Sequence, residues 1–197
     1  MNATNITWRG EPTDDVAILR ELPPDLAKHL GEVNGFILYN GALHVRGACV
    51  SPEWHSLRAA QEGPNAFHRL YECVRATDIV FAQDQLGDQF LLRDNQIWRL
   101  ISETGDVQCL SESLDHFFEQ VDEDIEAFLN VELGRTTKPG QLLLAYPPFV
   151  MRTTDGRIVL KPGPATDVIR FHADLAEQIQ NVQDGGSIKL KIDLDQR

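Results

Sequence analysis

Nucleophilic chemistry needs an activated serine or cysteine held against a base. The chain has the residue types but not the spacing that would join them. No GxSxG elbow occurs, and Ser51, Ser113 and Ser187 each stand where a helix cap or a turn explains a serine without catalysis. The six histidines, His29, His44, His55, His68, His116 and His172, are scattered, with no HExxH and no HxH pair. They are expected at surface or core-edge positions and not as metal ligands. Cys49, Cys73 and Cys109 are odd in number, far apart and free of CxxC spacing. That pattern fits reduced, buried thiols of a cytoplasmic protein and not a zinc ribbon. No GxGxxG or GxxxxGK run is present to cradle a phosphate. No catalytic residue, metal site or cofactor is expected.

Carboxylates are in excess: 30 Asp and Glu against 18 Lys and Arg give a net charge of -12. Asp84 and Asp88 flank Leu86-Gly87 and are expected to form the turn there. The acids are concentrated in residues 111–133, which hold eight of them, Glu112, Asp115, Glu119, Asp122, Glu123, Asp124, Glu126 and Glu132, and no Lys or Arg. Asp115/Glu119, Glu119/Glu123 and Asp122/Glu126 are like-charge pairs one helical turn apart, each costing roughly 0.2 to 0.5 kcal/mol in an isolated helix. The later acids would also face the negative end of the helix dipole. A helix gains no stability from such a face. It is either a solvated surface whose basic neighbours come from elsewhere in the fold, or a surface for a basic partner. Glu119, Asp122, Glu123 and Glu126, with Asp84 and Asp88, are the candidate partner-binding residues. The same charge argues against direct binding to nucleic-acid phosphates. No run approaches the length of a membrane span, and the opening MNATNITWRGEPTDD lacks the apolar core and basic flank of a signal peptide.

The elements that would position these residues centre on residues 78–100, DIVFAQDQLGDQFLLRDNQIWRL, where three β-prone runs are separated by turn residues. With Asn95 in the left-handed region, a loop over residues 93–95 sets Phe90 opposite Trp98, with Leu92 and Leu100 on their face and Leu91 and Ile97 on the other. A strict two-residue loop would set Leu91 against Trp98 instead. Before this meander, Pro23-Pro24 opens a helix with Leu26, Leu30 and Val33 at helical spacing, and Asn34-Gly35 ends it. Residues 36–46 form a hairpin about Asn40-Gly41. Ser51-Pro52 and Asn65 then start two further helices.

After a fourth strand over residues 107–110, Ser113 opens the clearest helix, with Leu114, Phe117, Phe118, Val121, Ile125, Phe128 and Leu129 as its apolar stripe. Phe90, Trp98, Phe117, Phe118, Ile125 and Phe128 are expected in the core. The polar run RTTKPG after Gly134 is a boundary or surface loop. Beyond it come two strands joined at Thr154-Asp155-Gly156, a helix capped by Thr166 with Val168, Ile169, Phe171, Leu175 and Ile179 largely on one side, and an alternating strand over residues 187–194.

The order of a helix with LPPDLAKHL, an Asn-Gly stop, an IVFAQD strand, GDQFLL and a tryptophan strand resembles the SUKH superfamily, which holds the fungal Smi/Knr cell-wall regulators and many bacterial toxin-immunity proteins. The resemblance spans roughly residues 22–133 and rests on apolar positions with Asn-Gly and Gly-Asp punctuation. It implies an α+β fold with a mainly antiparallel sheet and packed helices over residues 1–133. Residues 134–197 would be a strand-helix-strand extension docked on that part. It also implies a non-enzymatic protein-binding role, an immunity protein neutralising a basic toxin domain. The alternatives are a regulatory or scaffold module of the Smi/Knr type and, from a different class, a hydrolase.

Overall fold

The computed structural model of the chain describes residues 5–152, 156–183 and 185–190. Seven strands, β1 (Ile6–Arg9), β2 (Phe36–Leu38), β3 (Leu43–Val45), β4 (Ile79–Asp84), β5 (Gln89–Arg93), β6 (Gln96–Ile101) and β7 (Asp106–Ser111), pair in sequence order as one antiparallel sheet. Residues of α1 (Val16–Glu21), α2 (Pro24–Glu32) and α5 (Leu114–Leu129) pack with Phe36, Phe81, Phe90, Leu92 and Ile97 as the main core on one face. On the other face α3 (Leu57–Gln61), α4 (Phe67–Leu70) and α6 (Ala165–Ile179) pack with Val80, Leu91 and Leu100. A separate ribbon, β8 (Gln141–Tyr146) with β9 (Val159–Pro164), carries α6 against the second face. The fold is mixed α+β, with helices on both sides of an antiparallel meander.

The β5–β6 register corrects the preferred pairing. Leu91 stands opposite Trp98 and Arg93 opposite Gln96, which leaves a two-residue turn. Asp94 (φ 51°) and Asn95 (φ 64°) both take positive φ, the geometry whose twist matches that of the paired strands. Phe90, Leu92 and Ile97 therefore face α5, while Leu91, Trp98 and Leu100 face α4 and α6. Phe90, Phe117, Phe118 and Ile125 are buried; Trp98 and Phe128 are only half-buried at the core margins.

Helix α5 begins as expected, with the Ser113 hydroxyl accepting the His116 N–H at 3.1 Å and Asn130 closing the end in the left-handed conformation. Several shorter elements differ. Pro52 is extended (ψ 152°), so no helix starts at Ser51; a 3-10 turn over Glu53–His55 leads to Ser56, whose hydroxyl caps α3. Asn65 caps nothing, and α4 ends at Leu70 because Tyr71 turns extended and sends its hydroxyl to the Ser102 carbonyl. Helix α6 starts at Ala165 after Pro164, which leaves Thr166 inside the first turn. Of the expected apolar stripe Val168 and Leu175 are buried, whereas Ile169, Phe171 and Ile179 are half-buried, and Ala173, Ala176 and His172 are buried instead. Small residues there let α6 approach the sheet closely.

The β8–β9 connection is longer than a tight hairpin, and Thr154 and Asp155 lie outside the described residues. Residues 187–190 form no strand, and the rest of that expected strand also lies outside the described residues. Of the cysteines, Cys49 is buried, Cys73 is half-buried and Cys109 is exposed on edge strand β7, so the expectation of three buried thiols is corrected.

Candidate functional site

Packing the apolar stripe of α5 onto the sheet turns its acids outward, and Glu112, Asp115, Glu119, Asp122, Glu123, Asp124, Glu126 and Glu132 are all exposed. Some of them have work within the fold. At Asp124 the backbone leaves helical geometry (φ -156°, ψ 87°) and the carboxylate accepts the Ala127 N–H at 3.0 Å, as an N-cap does. Asp124 thus starts a fresh turn, so Asp124 and Glu126 stand near a helix start and not at an unfavourable negative end. The break also removes the helical register assumed for the Asp122/Glu126 pair. Glu126 accepts the Leu133 N–H at 3.0 Å, and Glu132 pairs with Arg135 just beyond the acidic segment. Glu119 lies 3.6 Å from His116 Nδ1 and Glu123 accepts the Gln120 amide at 3.2 Å, both partners on α5 itself, so the outer face centred on Glu119, Asp122 and Glu123 carries acids and no Lys or Arg.

Asp84 and Asp88 do not join that face. Asp84 is fully buried and Asp88 is 13% exposed, and Arg99 Nη2 reaches both, at 3.1 Å and 2.8 Å. Asp84 does form the turn, accepting the Leu86 and Asp88 N–H groups at 2.9 Å and 3.1 Å. Gln83 to Gln85 are also buried, and the Leu143 N–H of β8 donates to the Gln85 carbonyl. Two carboxylates share one guanidinium here. Burial, with Asp88 close by, pushes Asp84 up to about 7, against the pull of Arg99 and the two backbone donors. Arg99 also donates to the Leu129 carbonyl at 3.0 Å, so the cluster ties the end of α5 to the sheet.

The cluster continues to the opposite helix layer. Asp88 Oδ1 accepts both the Ser102 N–H and the Ser102 hydroxyl, at 2.9 Å and 3.1 Å, and the same hydroxyl lies 3.0 Å from His172 Nδ1 on α6. Gly87 takes φ 94°, a backbone conformation that favours glycine, and a Cβ there would sit 3.2 Å from that imidazole nitrogen. Burial pulls His172 down to about 4, so it is neutral near pH 7. Ser102, His172 and an aspartate meet, beside an open cleft also lined by Arg99, Glu103 and Phe149. Their order is not that of a nucleophile, base and orienting acid. The serine proton goes to Asp88, His172 Nδ1 then donates to the serine, and buried Nε2 has no partner among the described residues to orient the ring. Ser102 itself is 2% exposed. The arrangement fits a network that holds two layers together better than it fits a hydrolytic site.

Nothing local in the sequence marks Ser102 and His172, which are 70 positions apart. The buried pair His44 and His55 was equally unmarked; His44 Nε2 lies 2.9 Å from His55 Nδ1. Among the described residues, no three His, Cys, Asp or Glu side chains gather where they could hold a metal ion, and no helix is long and apolar enough to cross a membrane. Comparison with protein-family models and with curated proteins found no match.

Proposed function

We propose that the chain is a protein-binding module of the SUKH type that captures a basic partner on the outer face of α5, in the manner of an immunity protein neutralising a toxin domain. The observation that carries the reading is the segregation of charge. Eight exposed acids, with no Lys or Arg among them, lie in residues 111–133, six of them on α5. A face of that sign accelerates encounter with a positive surface and discriminates against acidic ones. It would suit a nuclease toxin, whose phosphate-binding surface an acidic helix can cover. The SUKH part of this reading rests on the order of sequence patterns over residues 22–133.

Co-expression is the test. Where a toxin domain is encoded beside the gene for this chain, its growth arrest should be relieved by the chain. Persistent arrest, with both proteins soluble, would count against the immunity role. A gene with no such neighbour would favour a regulatory or scaffold role of the Smi/Knr type.

A further inference from the structure

On the face of the sheet opposite α5, Arg46 is 2% exposed, and its surroundings differ from those of every other well-buried arginine among the described residues. Arg93 is held by Asp78, and Arg99 by Asp84 and Asp88. Arg46 makes no ion pair among the described residues, in a chain with 30 carboxylate side chains to offer. Its neighbours are neutral: Nη2 donates to Gln83 Oε1 and Gln89 Oε1, both at 2.7 Å, Nη1 reaches the Val80 carbonyl at 3.4 Å, and the Phe67 ring lies 5.2 Å below Cζ. Nε–H donates to no described atom. Burial lowers the guanidinium pKa to about 9, which still leaves it charged at neutral pH. A buried charge is costly unless a counter-charge meets it.

The space for that counter-charge is present. Arg46 lines a half-open cavity of about 40 Å³ between α3, α4 and α6, whose walls include Trp54, Phe67, Leu70 and Ile169. That volume admits a few water-sized groups. Arg170 stands at the rim with Nε and Nη2 both on Asn65 Oδ1, at 3.1 Å and 3.0 Å, a neutral acceptor that a carboxylate would outcompete. The rim's one acid, Glu53, is engaged by the Asn65 amide at 2.7 Å.

We propose that this cavity is a binding site for a small aliphatic monocarboxylate, its carboxylate meeting Arg46 and its tail lying against the aromatic and aliphatic walls. A phosphate is a poorer fit, because Arg46 is the one buried cation unpaired among the described residues and the chain's net charge of -12 opposes a dianion. The site is separate from the acidic helix, so it stands or falls independently of the proposed partner.

The full-length, ¹⁵N-labelled chain titrated with sodium butyrate, against sodium chloride at matched ionic strength, is the experiment. Saturable shifts confined to the Arg46 Nε–H and the Trp54 indole N–H resonances are expected with butyrate, with half-saturation at about millimolar concentration. Ala59 also lines the cavity and is half-buried, so Ala59→Leu should fill the space, leave the remaining spectrum folded and abolish the response. Arg170→Gln should weaken binding several-fold without abolishing it. The proposal is overturned if butyrate gives no saturable shift, if chloride gives the same shift, if phosphate binds and butyrate does not, or if folded Ala59→Leu responds as the parent does.

Discussion

His55 is buried with Nδ1 on His44 and Nε2 3.1 Å from the Asn34 carbonyl, and the fold holds both rings away from water. Burial lowers His55 to about 4 and His172 to about 4, and holds His44 well below the ordinary histidine range. In the unfolded chain all three would titrate near 6.5. Below that pH the unfolded state takes up protons that the folded state refuses, so stability falls by roughly 1.4 kcal/mol per pH unit for each such group. Asp84 acts with the opposite sign. Its carboxyl, raised from 3.8 to about 7, keeps a proton when folded that the unfolded chain has released, which favours folding as pH drops through that window. Burial raises Glu103 in the same direction. Three histidines outweigh these two acids, so the urea midpoint should fall between about pH 6.5 and pH 4. A flat or rising midpoint over that range would show that the histidines are not held neutral. Local pattern marks Asp84 as a turn former but does not mark its burial, and it marks neither the three histidines nor Glu103. Their burial arises from pairings between strands and helices distant in the chain, and His172 reads in the sequence only as one position of an amphipathic helix.

Phe118 shows what a whole element contributes. It lies in the main core against the rings of His29, Phe36, Phe81 and Phe117, and Phe118→Ala should cost about 3 to 5 kcal/mol in denaturant unfolding. A loss below about 1 kcal/mol would mean that α5 is not seated on the sheet as described. This helix was legible in the sequence because 16 residues of 3.6-residue periodicity leave little room for another reading. Shorter elements were not. The β5–β6 register turned on whether Asp94 as well as Asn95 would take positive φ, a choice the adjacent strand twist makes. The start of α3 turned on which of Ser51 and Ser56 caps it, and tertiary contacts decided that: the Ser56 hydroxyl donates to the Cys49 carbonyl at 2.6 Å while accepting the Ala59 N–H. Strand β1 offered only four alternately exposed residues, and its pairing with β2 is what makes it a strand.

Across the whole molecule, the C-terminal part is bound to the sheet by more than apolar packing. The Leu143 N–H donates to Gln85, the Val150 N–H to Glu103, and Thr137 to Asn40, while Ala173 and Ala176 fill the second core. Brief proteolysis should therefore leave residues 134–183 associated with the sheet even if the exposed segment around Arg135 is cut. Separation of two folded fragments on a sizing column would contradict that packing. The acids of α5 lie on the face opposite α6, so this docking leaves them open to a partner. If they steer capture, charge sets the encounter rate far more than it sets the fold, since exposed charges are screened beyond about 8 Å at physiological ionic strength. The decisive measurement is the association rate with the purified cognate basic domain, as a function of salt, for the parent chain and for Asp122→Asn, Glu123→Gln and Glu126→Gln combined. The parent rate should fall steeply as salt rises. The triple variant should keep its unfolding midpoint, associate about tenfold or more slowly in low salt and converge on the parent at high salt. An unchanged low-salt rate for the folded triple variant would contradict the account and leave the acidic face a solvated surface.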